Sequence, residues 1–166
     1  KDLIDAKKGA VNALDKEGVS LIERAFVFSR NAHQNQKRRS GENYFEHSYQ
    51  TALTLARWRL DADTIAAGLL HDVLEDTSFA LANIRKEFGE EITFLVDGVT
   101  KLGHLKYREE QAQAENLRKM VLALSRDLRV ILIKLADRLH NIKTLNALPP
   151  AKQKRIALET SEIYAP

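Results

Sequence analysis

The sequence predicts an all-α protein, a single compact helical domain, and three observations carry that reading. Apolar residues recur at intervals of three and four along almost the whole chain, as they do on one-sided helices. Runs that alternate apolar and polar residues, the mark of half-buried strands, are nearly missing. Only seven glycines and three prolines punctuate 166 residues, too few for a turn-rich β architecture.

The periodicity predicts helices over 2–16, 20–35, 45–59, 62–75, 80–88, 90–100, 109–125, 128–146 and 151–164. The stretch Lys37–Asn43, with Ser40-Gly41 inside it, reads as a loop between the second and third helices. A second loop runs from Gly103 to Tyr107. Pro149-Pro150 divides the last two helices, and Pro150 suits the opening turn of the second. Trp58 and the phenylalanines are assigned to the core. No repeat, low-complexity tract or linker divides the chain, so residues 1–166 form one domain.

Hydrophobic residues make up 44% of the chain and charged residues 30%, an ordinary balance for a globular protein with a real core. No apolar run is long enough to span a bilayer, and the start lacks a signal-peptide pattern. A cytoplasmic address is compatible with this. Because the chain opens on Lys1 and not Met, it is expected to be a piece of something longer. A net charge of +3 mildly favours anionic partners. Nucleic acid would call for a stronger basic excess and an aromatic stacking array, and neither is present. Cysteine is absent, which excludes disulfides, thiolate metal sites and a cysteine nucleophile. Any metal must be held by nitrogen and oxygen, with five histidines available.

On the predicted helix 62–75, Ile65, Ala66, Leu69, Leu70, Val73 and Leu74 fill one half of the wheel. His71, Asp72, Glu75 and Asp76 gather on the other, and Gly68 lies one turn earlier on that polar side, where a missing side chain would leave room for a ligand. Two readings stand. The face is solvated, or its repelling carboxylates await a cation; the absence of any basic residue in the turn speaks for the second. The helix 128–146 has a broad apolar arc (Ile131, Leu132, Leu135, Ala136, Leu139, Ile142), yet Lys134, Asp137, Asn141 and Thr144 lie along one line. A buried carboxylate is costly unless paired or metal-bound. Asp137 is therefore either ion-paired with Arg138 or Lys134, or part of a site. His47 near the start of the third helix and the basic triplet Lys37, Arg38 and Arg39 before it complete the candidates.

The order His47 … His71-Asp72 … Asp137 resembles the H…HD…D signature of HD-superfamily phosphohydrolases. The surrounding words RRSGENYFEH, LLHDVLEDT, VDGVTKLG, KLADRLHN and ETSEIYAP closely resemble the hydrolase domain of RelA/SpoT homologues, from about Ala25 to Pro166. That resemblance implies an HD-type helical fold and an N-terminal piece of a longer chain, covalently linked to a synthetase domain. It implies that His47, His71, Asp72 and Asp137 hold a single Mn²⁺, with Fe²⁺ or Zn²⁺ also compatible with such a mixed nitrogen and oxygen set. It implies that Glu75 and Asp76 position or activate the attacking water, and that Arg38 packs against the guanine base. Asn141 and Thr144 match positions near the ribose and its phosphates. Arg39 stands where the family commonly has Lys, and with Lys37 and Lys134 it faces an anionic substrate. Ser48 and Asn43 replace prolines frequent in the family, which affects local rigidity and no ligand.

The implied reaction is metal-dependent release of pyrophosphate from the ribose 3′ position of (p)ppGpp, giving GDP or GTP. Two other functions remain compatible with the sequence: an alarmone-binding regulatory module with little turnover, and an HD phosphohydrolase acting on another nucleotide. Of the other histidines, His33 is expected to be structural or to support the site from behind the ligands, His104 to be exposed, and His140 to lie outside the metal set.

Overall fold

The structure is a computed structural model and describes residues 14–38, 41–103 and 126–161. Among these residues the regular structure is helical, as the periodicity predicts, with one isolated antiparallel bridge between Lys37 and Asn43. The helices are α1 (Lys16–Ala32), α2 (Tyr44–Arg57), α3 (Ala62–Leu70), α4 (Val73–Asp76), α5 (Leu81–Gly103), α6 (Leu128–Lys143) and α7 (Pro150–Glu159), with a 3₁₀ turn at Leu145–Ala147.

Three of these helices begin on an aspartate whose carboxylate accepts from a backbone N–H otherwise left without a partner. Asp15 receives Gly18 N at 2.7 Å, Asp61 receives Thr64 N at 2.8 Å, and Asp127 receives Arg129 N at 2.9 Å. The cap at Asp15 starts α1 four residues before the predicted position 20. Most of the predicted helix 2–16, the whole of 109–125, the 104–107 segment with His104, and Arg39 lie outside the described residues.

The centre of the fold is α3. Ile65, Ala66, Ala67, Leu69 and Leu70 are all fully buried, and the helix packs against α1, α2, α5 and α6. A helix enclosed on every side needs no polar face, and this corrects the reading of Gly68. A Cβ at Gly68 would come within 2.4 Å of Leu55 Cδ1 and 3.5 Å of Ala52 Cα. The missing side chain therefore lets α2 approach closely and leaves no room for a ligand.

The predicted helix 62–75 is interrupted. His71 and Asp72 form a turn between α3 and α4, with Asp72 at φ −92 and ψ −6. Gly89, with φ 82 and ψ −177, separates the two predicted helices 80–88 and 90–100, in a conformation that a side chain would resist. Trp58 is not core: it caps the C-terminus of α2 and is 42% exposed. Phe79 and Phe94 are also exposed, whereas Phe88 is buried. The periodicity does not distinguish a half-exposed aromatic from a fully buried one.

Candidate metal centre and adjoining cavity

Three elements bring the chemistry together. His47 comes from the first turns of α2, His71 and Asp72 from the break after α3, and Asp137 from the middle of α6. His47, His71 and Asp137 are buried, and one donor atom from each lies within 4.8 Å of the others. His47 Nε2 is 3.1 Å from Asp137 Oδ1 and 3.4 Å from Asp72 Oδ2. His71 Nε2 is 3.0 Å from Asp72 Oδ1 and 4.0 Å from Asp137 Oδ1.

The donor set fits a divalent cation on an observation besides proximity. His71 Nδ1 donates to the carbonyl of Gly68 at 2.9 Å, so its Nε2 is the bare nitrogen of the neutral ring. That Nε2 is fully buried and has no hydrogen-bond partner. A buried lone pair aimed at two carboxylates is an acceptor set against acceptors, and either a proton or a cation must stand between them. Electrostatics give the proton's answer: burial opposes charging His71, but Asp72 and Asp137 outweigh it and raise its pKa to about 9. The same contacts hold the carboxylates down. Burial pushes Asp72 up, yet His71 and His47 bring it below its ordinary value. Asp137 is likewise raised by burial, but Lys134 and the two histidines carry it well below the carboxylate range.

The sequence left two readings of Asp137 open, and the geometry unites them. Lys134 Nζ sits 2.7 Å from Asp137 Oδ2 while Oδ1 faces the histidines. Lys134, expected to face the substrate, has its ammonium on this carboxylate.

Beside the cluster, on the C-terminal half of α6, is a cavity of about 240 Å³. Its lining includes Lys37, Arg38, Tyr44, Asn141, Thr144 and Lys152. Arg38, Asn141 and Thr144, picked out separately in the sequence, thus meet on one cavity. Asn141 joins the two regions: its Oδ1 accepts from Arg38 Nη2 at 2.7 Å, and its Nδ2 donates to Asp137 Oδ1 at 2.5 Å. Glu75 and Asp76 are exposed on α4. The Tyr44 hydroxyl donates to Asp76 Oδ2, and Gln36 Nε2 donates to the Asp76 carbonyl at 2.6 Å. Burial, then the charges of Asp72 and Asp76, raise Tyr44 and keep it a protonated donor.

Three residues of this region were not singled out from sequence. Tyr44 and Lys152 were hidden because a tyrosine at a helix start and a lysine on a polar helix are ordinary surface residues. His140 was set aside because it lies off the Lys134–Asp137–Asn141 line. It does stay outside the ligand cluster, but it touches His47 from the side, Nδ1 to Nδ1 at 2.8 Å. Burial, with the positive neighbours His47 and Arg38, lowers its pKa to about 4. His33 is buried, bonded to Gln36 at 2.8 Å and stacked on Tyr44 at 5.0 Å, two residues that both reach Asp76.

Among the described residues, two histidines and two aspartates converge from separate helices in an arrangement that could hold a metal ion. The family model described as HD domain matches residues 25–166, and the chain belongs to that family. It is 48% identical over 154 residues to the bifunctional (p)ppGpp synthase/hydrolase SpoT of Escherichia coli K12, a match covering 92% of this chain and 22% of that protein. It is 49% identical over 166 residues to a guanosine-3′,5′-bis(diphosphate) 3′-pyrophosphohydrolase of Vibrio cholerae, covering 99% of this chain and 24% of the relative. The chain thus spans under a quarter of the length of these relatives. A solved structure of a metazoan SpoT orthologue reported to hydrolyse ppGpp superposes with a TM-score of 0.71 at 20% identity, over 87% of this chain and 83% of that one. That likeness shows the fold. No helix among the described residues is long and apolar enough to cross a membrane.

Proposed function

We propose that this chain is the hydrolase domain of a longer synthetase-hydrolase, and that it removes pyrophosphate from the 3′ position of (p)ppGpp with Mn²⁺ as cofactor. The observation that carries this reading is the hydrogen-bonded chain Arg38–Asn141–Asp137, which joins a cationic cavity directly to the metal cluster. A phosphorylated nucleotide held in that cavity would have its phosphates beside the histidines. The activities named for relatives at about half identity support the same substrate.

In this reading His47, His71, Asp72 and Asp137 hold the cation. When bound, it supplies Lewis-acid stabilisation of the phosphate under attack. Glu75, one turn after His71, orients the attacking water and takes its proton. The water oxygen bonds to the phosphorus carried by the ribose 3′ oxygen, the bond to that oxygen breaks, and the freed oxygen takes up a proton. The products are GDP, or GTP from pppGpp, and pyrophosphate. Asp76, fixed by Tyr44 and Gln36, keeps the α4 turn in register. Arg38 stacks its planar guanidinium on the base, and Arg39 with Lys37 meets the phosphates. Lys134 acts through Asp137, limiting the negative charge of the cluster.

The test is pyrophosphate release from ppGpp by the purified protein, with Mn²⁺ and with chelator, using Asp72→Ala as control. Mn²⁺-dependent release of GDP and pyrophosphate, absent in the variant, is the expected result. Metal binding without turnover would move the assignment to a regulatory nucleotide-binding module, or to another nucleotide if one is cleaved instead.

A further inference from the structure

The two ligand histidines are oriented by different means. His71 has its Nδ1 proton fixed by a backbone carbonyl, that of Gly68. His47 has its Nδ1 against the Nδ1 of His140, 2.8 Å away, with ring centroids 5.0 Å apart. Two facing ring nitrogens at that separation share one proton, since two N–H groups or two lone pairs would repel.

We infer that His140 is a positioning residue for the metal centre, its Nδ1 accepting the Nδ1 proton of His47 and so keeping His47 Nε2 free to bind the cation. The inference rests on the metal assignment above and adds a residue to it. His47 Nε2 points at Asp137 and Asp72, 3.1 and 3.4 Å away. To serve as a ligand that nitrogen must be bare, so the ring's proton must be on Nδ1. His140 Nδ1 must then be the acceptor, with its own proton on Nε2. The opposite arrangement, with His140 donating, puts the His47 proton on Nε2, facing the carboxylates and closed to metal. One contact therefore admits two proton placements, and the cation selects one. His140 is held for this role by its place on α6, three residues after Asp137, so one helix supplies a ligand and the support of another ligand.

The experiment compares Mn²⁺ affinity, by chelator competition, of the whole protein with that of His140→Phe and His140→Asn. Phenylalanine keeps a planar ring and removes the acceptor. Asparagine places a carboxamide oxygen about where Nδ1 stands. The expected result is a loss of about 10–100-fold in affinity for His140→Phe, the usual effect of removing such a partner, and substantial recovery in His140→Asn. Affinity within twofold of the parent in the phenylalanine variant overturns the inference. So does an equal loss in both variants with helical content intact, which would assign His140 to packing. Should His140→Phe fail to fold, the parent protein decides the matter in its Zn²⁺-bound form by long-range ¹⁵N NMR. A bare Nδ1 on His140 and a protonated Nδ1 on His47 support the role, and a protonated His140 Nδ1 removes it. Affinity is read without any nucleotide, so failure to hydrolyse ppGpp would sink the proposed activity and leave this inference standing. A parent that binds no divalent cation would overturn both.

Discussion

Asn141 holds Asp137: its carboxamide nitrogen donates to Asp137 Oδ1 at 2.5 Å, four residues away on the same helical face. The other end of that carboxamide accepts from Arg38, 103 residues distant in the chain. A carboxamide can do both because it carries a donor and an acceptor on one rigid plane. A candidate metal ligand and a cavity-lining cation are thereby bound into one network.

Arg38→Ala is expected to raise KM for ppGpp with little change in kcat, because the guanidinium acts on binding. Asn141→Ala is expected to raise KM and also weaken Mn²⁺ binding, since Asp137 loses its fixed orientation. The two changes should be non-additive, with a coupling of about 0.5–3 kcal/mol as for residues in one network. Simple additivity in a double-mutant cycle of KM and metal affinity would show that the network is not felt in function.

Removing His71 tests the cluster itself. His71→Ala deletes a buried imidazole with no other hydrogen-bond partner for its Nε2 and should abolish both metal binding and turnover. Calorimetric titration with Mn²⁺ beside the pyrophosphate assay reads the two losses separately, and retention of stoichiometric metal would take His71 out of the ligand set.

Glu75→Gln addresses the proton. The side chain is exposed on α4 and outside the ligand cluster, so the amide should leave metal affinity and KM near those of the parent. The rate should fall by about 10²–10⁴-fold, the usual range for loss of a general base. Near-normal kcat would assign the proton to another group.

Much of this site was legible before the fold was known. The reason is that, without cysteine, a metal site must be built from histidine and carboxylate, so His71-Asp72 and Asp137 stood out from their apolar surroundings. The helices were legible because their buried faces repeat at helical spacing. What remained hidden depends on contacts between distant elements. The break at His71-Asp72 does not interrupt the apolar pattern of 62–75, so periodicity reads straight through it. His140 meets His47 across 93 residues, and no local spacing encodes that meeting. Gly68 was misread because one wheel shows which side of a helix is polar and not whether a neighbouring helix covers it.

The corrected reading of Gly68 predicts a loss of stability and no direct effect on substrate. Gly68→Ala gains about 1 kcal/mol of helix propensity. Against this, the new methyl meets Leu55 Cδ1 at 2.4 Å, and Leu55 is fully buried and cannot swing into solvent. Overpacking of this kind costs about 1–3 kcal/mol, so a net destabilisation is expected. Denaturant unfolding should show it, with KM for ppGpp unchanged in the folded variant. A raised KM with unchanged stability would restore the ligand-space reading.

The N-terminal end of α6 helps to set where Asp137 stands. Asp127 caps this helix through Arg129 N at 2.9 Å, and the Arg129 guanidinium returns to the same carboxylate, with Nη2 2.5 Å from Oδ2. Arg129 also bonds Glu91 of α5 and approaches Asp61 at the start of α3, 3.8 Å away. The hydrogen bond from Arg129 lowers the pKa of Asp127 below its ordinary value. A carboxyl whose folded value is depressed stabilises the fold above its unfolded pKa of about 3.9, and this contribution fades as pH falls through the folded value. Asp127→Ala should therefore cost about 0.5–2 kcal/mol at pH 7, the usual worth of an aspartate cap. The gap between parent and variant should be undiminished at pH 5 and shrink below about pH 4, as the pH passes the unfolded pKa and falls through the lower folded value of Asp127. Asp127→Asn keeps the oxygen that accepts from Arg129 N and loses the charge, so it should fall between the two at pH 7. A gap that stays constant from pH 7 to the acid limit would mean that the charge of Asp127, as distinct from its place at the cap, adds nothing to the stability of α6.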